Sequence, residues 1–129
     1  MTRDEFRQLL SSLSDGWANR RYGEVADHFA DDIFYSDPKN YTFTSRESLQ
    51  RFFEDDEGRD QSCTFHNTIF DESQQLGVAE YTYIGSYRYH GTVWIKVDGG
   101  KIASWREYQH RSERNENGNN REINEHDRP

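Results

Sequence analysis

Near residue 62 the spacing of apolar side chains changes from a helical period to a period of two, and that change excludes most arrangements of secondary structure. Upstream, Phe6, Leu9, Leu10, Leu13 and Trp17 fall on one stripe, with Asp4, Arg7, Gln8 and Ser11 opposite, which predicts an amphipathic helix over 4–17. GEVADHFADD groups Val25, Ala26 and Phe29 in a second, short helix, and Ile33 to Tyr35 read as a short strand. In the turn DPKN, Pro38 pushes Asp37 out of the helical region. A third helix opens with Ser45 as N-cap, or with Thr44 and Glu47 as a capping box, and its inner face is Leu49, Phe52 and Phe53. The acidic run EDDEGRD after it reads as a solvated loop. From Ser62 the alternating, β-branched and aromatic pattern predicts strands over 62–71, 76–87, 89–98 and 101–111, with hairpin turns at 71–74 and at Asp98-Gly99-Gly100. Helices first and a meander after them give an α+β fold, three N-terminal helices on one face of a curved antiparallel sheet.

Only 32% of the 129 residues are hydrophobic and 15% are aromatic, so a small number of large rings must close the interior. The net charge of −8 disfavours nucleic acid and anionic membranes as partners. Cys63 is the lone cysteine, which fits a reducing compartment. No apolar run approaches the ~20 residues a membrane span needs, and the charged start MTRDEFRQLL lacks the apolar core of a signal peptide. A soluble, cytoplasmic protein is expected, with a folded unit over 1–112. Residues 113–129 hold one apolar side chain, Ile123, and form a polar tail expected to be disordered.

Three local patterns, FADDIFYSDP followed by RESLQRFF, then GVAEYTY with YHG, then DGGKIASWREYQH, resemble the SnoaL-like branch of the nuclear transport factor 2-like superfamily. The resemblance covers residues 5–111 and implies a cone-shaped, cystatin-like fold whose bent sheet encloses a pocket. Members include ketosteroid isomerase, limonene epoxide hydrolase, scytalone dehydratase and polyketide cyclases, as well as non-enzymatic binding domains, so the fold does not name the reaction. Many members dimerise through the outer face of the sheet.

By that resemblance Asp37 occupies the place of the isomerase's general base, while its other reading is an Asp-Pro turn residue whose carboxylate caps backbone amides. The isomerase's two oxyanion donors have no counterpart, since their positions fall at Leu13 or Ser14 and at about Val93. Losing one such donor typically costs ~10²–10³ in rate. The apolar series Val93, Ile95 and Val97 faces the interior by strand alternation. If Ile102 also points inward, Arg106, Tyr108 and His110 follow it, and comparison with the family places Glu80 inward too. The candidate catalytic residues are therefore Asp37, Glu80, Arg106 and His110, with Trp17, Phe52, Phe65 and Tyr108 as substrate-binding walls. Glu80 and Arg106 form either an ion pair that fixes the sheet or a fork presented to substrate. His110 is either an exposed strand end or a proton acceptor where the cyclases carry an aspartate. His66 and His90 are assigned to neither face.

No histidine spacing places two metal ligands on one face, so neither a metal nor a cofactor is expected. The expected function is binding of a small apolar, partly oxygenated molecule, with acid–base chemistry of the isomerase, dehydratase or hydrolase type. The alternative is a non-catalytic ligand-binding or dimeric interaction module, recognised by Asp37 and Glu80 being fully hydrogen-bonded. A homodimer is expected because Tyr81, Tyr83, Trp94 and Trp105 would together form an exposed aromatic patch on the outer face.

Overall fold

The computed structural model describes residues 1–112, and the expectation for the tail lies outside the described residues. Helix α1, Arg3–Ala18, starts at a capping box in which Thr2 Oγ1 accepts from Glu5 N at 3.1 Å and Glu5 Oε1 accepts from Thr2 N at 2.8 Å. Its stripe of Phe6, Leu9, Leu10, Leu13 and Trp17 is buried, as the spacing predicts. Helix α2, Tyr22–Ala26, is shorter than expected, because Phe29 opens strand β1, Phe29–Asp37, instead of closing the helix. A three-residue strand β2, Tyr41–Phe43, follows the DPKN turn. Helix α3, Arg46–Glu54, uses the Ser45 cap, whose Oγ accepts from Ser48 N at 3.2 Å.

The second half is the expected meander: β3 Ser62–Asp71, β4 Leu76–Ile84, β5 Arg88–Asp98 and β6 Lys101–Ser112. One six-stranded sheet runs β2-β1-β6-β5-β4-β3. It is mixed and not purely antiparallel, because β1 lies parallel to β6, with Tyr35 opposite Trp105 and Ser36 opposite Arg106. A parallel pair needs a long connection, and α3 with four strands, β2 to β5, supplies it. The chain is thus α+β, but α3 enters after two strands, so only α1 and α2 precede the sheet. The core lies between the helices and the sheet's inner face, centred on Phe6, Leu13, Phe29, Ile33, Leu49 and Ile95.

Two local irregularities decide which side chains reach that core. The Gly99-Gly100 turn, both residues at positive φ, sets Asp98 opposite Lys101 and Val97 opposite Ile102. The next pair is Lys96 with Ser104, so Ala103 is an extra residue, a β-bulge that reverses the facing of everything beyond it. On β4 the inner positions are small where α1 presses on the sheet: a Cβ on Gly77 would stand 2.4 Å from Phe6 Cζ, and Ala79 is buried beside it. The larger Val78 consequently faces outward, opposite Ile69 and Trp94.

Candidate functional site

Between the helices and the far half of the sheet lies a cavity of about 710 Å³, within the range typical of small-molecule sites. Trp17 of α1, Tyr35 of β1, Tyr41 of β2, Phe53 of α3, Tyr81 of β4 and Trp105 of β6 line it. The rings support one another: Tyr35 stacks on Trp105 with centroids 5.5 Å apart, and Trp17 meets both Phe53 and Trp105 edge-on. The acidic 55–61 loop lines the mouth and is not merely solvated. Asp56 anchors it, accepting from Tyr22 Oη at 2.5 Å, Arg20 Nη1 at 2.7 Å and Gly58 N at 2.8 Å.

The charged group buried in this wall is Glu107, 5% exposed. Tyr81 Oη lies 3.1 Å from its Oε2, Trp105 Nε1 donates to its Oε1 at 3.2 Å, and the Tyr35 and Tyr41 hydroxyls also bond to it. Burial raises the carboxyl's pKa above the ordinary range, and the tyrosine and tryptophan donors only partly oppose that rise. Burial likewise raises Tyr35, Tyr41 and Tyr81, with the nearby Glu107 charge as second cause. The Cys63 thiol is pushed up to about 12 by burial and then by Glu107, so it stays protonated and non-nucleophilic near neutral pH. The donor-rich, protonatable set around Glu107 can give a proton to, or hold negative charge on, an oxygen of a bound molecule. No group of three or more His, Cys, Asp or Glu among the described residues is placed to hold a metal ion.

Asp37 is 4% exposed at the end of β1, and both of its oxygens are occupied. Oδ1 accepts from Lys39 N at 3.0 Å, while Oδ2 accepts from Asn40 Nδ2 at 2.9 Å and Gln109 Nε2 at 3.0 Å. The first two bonds close the DPKN turn, which is the turn-forming role that Asp-Pro suggests.

Of the other expected residues, Trp17 and Phe52 line the cavity. Phe65 stands behind the wall, packed edge-on against Tyr81 and Trp105. Glu80, Arg106 and Tyr108 are corrected to the outer face. Glu80 is exposed and accepts from Asn67 Nδ2 at 2.6 Å, and Arg106 pairs across the strands with Trp94. Tyr108 is 50% exposed. His110, exposed at the strand's end opposite His90, still lines the cavity at its rim, as expected. The proposed aromatic patch is corrected as well: Tyr81 and Trp105 are buried, Tyr83 lines the cavity, and of the four only Trp94 is exposed. His66 Nε2 and His90 Nδ1 both contact Thr82 Oγ1, at 2.7 and 3.3 Å.

The physical reason for most of these corrections is the Ala103 bulge. Counting in twos from Ile102 puts Arg106, Tyr108 and His110 inside; counting across from Val93, Ile95 and Gly91 puts Glu107, Trp105 and Gln109 there. A signal was present in the sequence, since Ile102 and Trp105, two large apolar residues of one strand, cannot both face the core without a bulge between them.

No curated protein matches the sequence. Solved structures with the same fold include an M. tuberculosis epoxide hydrolase resembling limonene epoxide hydrolase, at 18% identity and TM-score 0.71, covering 83% of this chain and 84% of that one. A Kribbella flavida protein provisionally assigned as a ketosteroid isomerase matches at 21% identity and TM-score 0.72, over 97% and 95% of the two chains. A Catenulispora acidiphila protein of ketosteroid isomerase-like fold, solved with trimethylamine, matches at 16% and 0.67, over 78% and 83%. These likenesses establish the nuclear transport factor 2-like fold and leave the reaction open. The family model of the SnoaL-like domain matches residues 10–105, through both the Asp37 turn and the Trp105 wall, and the chain is a member of that family.

Proposed function

We propose that the cavity binds a small, largely apolar, oxygen-bearing molecule and that Glu107 is its acid–base group. The observation that carries this reading is a carboxyl buried in the wall of an open aromatic cavity, its burial favouring the protonated form. Isomerisation, dehydration and epoxide opening all develop charge on an oxygen, and a buried acid beside tyrosine hydroxyls can meet that charge. The epoxide hydrolase and isomerase among the structural neighbours support this class of substrate. Asp37, with both oxygens taken, is not the base in this reading. The test is turnover of a panel of cyclic ketones, epoxides and hydroxyketones. Glu107→Gln lowers kcat by ~10² or more, the usual worth of a general acid, while the chain still binds the same compound by calorimetry. Unchanged kcat removes Glu107 from the chemistry.

One observation favours a non-catalytic binding pocket: the chain's own donors already surround both Asp37 and Glu107. In that case the panel binds without turning over. The outer face supports a second copy of the chain. Ile69, Val78 and Trp94 make a cross-strand row there, with Tyr108 diagonal to it. The lone cysteine and acidic surface support a cytoplasmic setting.

A further inference from the structure

The hydroxyl of Tyr81 has one hydrogen and two acceptors in reach. Its Oη stands 2.7 Å from Gln109 Oε1 and 3.1 Å from Glu107 Oε2, and a phenol can donate only once. The choice between them is made at Gln109. Its Nε2 lies 3.0 Å from Asp37 Oδ2 and 3.4 Å from Tyr41 Oη. A carboxylate only accepts, so Asp37 holds the amide NH₂ on its own side and turns the amide oxygen towards Tyr81. Asp37 is itself fixed by Lys39 N and Asn40 Nδ2. Once the Tyr81 hydrogen is given to Gln109, the contact between Tyr81 Oη and Glu107 Oε2 is a hydrogen bond only when Glu107 carries the proton. Every group in the chain of contacts is then satisfied, whereas an ionised Glu107 must take the Tyr81 hydrogen and strand the Gln109 oxygen.

We propose that Asp37 is a positioning residue that keeps Glu107 protonated, acting through the Gln109 amide and the Tyr81 hydroxyl. The inference rests on the reading of Glu107 as the cavity's acid and gives Asp37 a part in it without contact with substrate. When the Glu107 Oε2–H turns from Tyr81 Oη to a ligand oxygen and passes its proton there, the Tyr81 hydrogen turns from Gln109 Oε1 to Glu107 Oε2 and stabilises the carboxylate left behind. A ligand matched to this device is neutral and presents a hydrogen-bond acceptor.

The other groups facing Glu107 do not duplicate the effect. Tyr35 of β1, Tyr41 of β2 and Trp105 of β6 donate to it, Cys63 of β3 and Tyr83 of β4 feel its charge, and Val93 of β5 pairs with it as an apolar neighbour. From the helices, Trp17 and Phe53 are uncharged. Lys39, Asp55, Glu57, Arg59, His110 and Arg111 line the same cavity from exposed positions, and the half-buried Asp56 is held by Arg20 and Tyr22.

The experiment follows the Glu107 side-chain carboxyl by carbon-13 NMR across pH in the full, ligand-free chain, with the signal assigned by its loss in Glu107→Gln. In Asp37→Asn, Lys39 N claims the new amide's oxygen and its NH₂ faces Gln109. Gln109 turns over, and the Tyr81 hydrogen is released to Glu107. The Glu107 midpoint then falls by about one pH unit, the worth of one hydrogen bond to a charged group. Gln109→Leu, which leaves the turn's own bonds in place, lowers the midpoint in the same direction. In a Tyr81→Phe background Asp37→Asn leaves the midpoint where Tyr81→Phe alone sets it. Losing the Asp37 charge by itself would act alike in both backgrounds, so equal shifts, or no shift in either, overturn the proposal. Because no ligand or turnover is involved, this result is separate from the failure of Glu107→Gln to affect catalysis.

Discussion

At Glu107 a single carboxyl links pocket, protonation and stability. Its pKa in the folded chain lies above the unfolded value of 4.5, because burial outweighs its hydrogen bonds. The folded state therefore binds the proton more tightly than the unfolded state does. The resulting stability is fully present below pH 4.5 and is lost as pH rises through the folded pKa. Urea unfolding across that window should show the wild type losing stability relative to Glu107→Gln by up to about 1.4 kcal/mol per pH unit, and parallel curves would contradict a raised pKa. Asp37 shows the opposite use of a buried carboxylate, since three donors hold it as an acceptor that shapes a turn.

At the scale of elements, the site depends on β5 leaving room for β4. Gly91 pairs with Tyr81 on one side and Gln109 on the other, and a Cβ there would stand 2.7 Å from Tyr81 Oη and 2.8 Å from the Tyr108 carbonyl oxygen. Backbone oxygen cannot yield, so the tyrosine must. Gly91→Ala should destabilise the fold by ~1–3 kcal/mol through overpacking and displace Tyr81 from Glu107 and Gln109. A drop in urea midpoint together with an altered Glu107 titration would report both effects, and an unchanged titration would mean the ring is not held by this contact. The strand boundaries themselves were legible from alternation and turn residues: all four meander strands occur within a few residues of their expected ends. What alternation could not supply was facing on β6, because one extra residue at Ala103 inverts it, and facing on β4, where small residues lie under Phe6.

At the scale of the whole molecule, the sheet has one face closed by helices and one open. Ile69 is 71% exposed and Trp94 41%, in a row joined by Val78. This patch is smaller than the one alternation suggested, since three of the four rings assigned to it belong to the interior or the cavity. Sedimentation of the wild type should still give a dimer, and Trp94→Glu should shift it to monomer without changing the circular dichroism. A wild-type monomer at micromolar concentration would show the patch to be ordinary surface.

Local chemistry determined the elements of this protein: capping residues and stripe spacing placed α1 and α3, glycines placed the β5–β6 turn, and the FADDIFYSDP pattern marked the family. These features act over a few residues, so sequence order contains them. The tertiary structure decided which carboxyl is enclosed. Glu107 became the buried acid only because the bulge turned it inward, β1 joined β6 in parallel to bring Tyr35 beside it, and Gln109 reached 72 residues back to Asp37. Desolvation depends on all the groups that surround a carboxyl, and here those groups come from both ends of the fold.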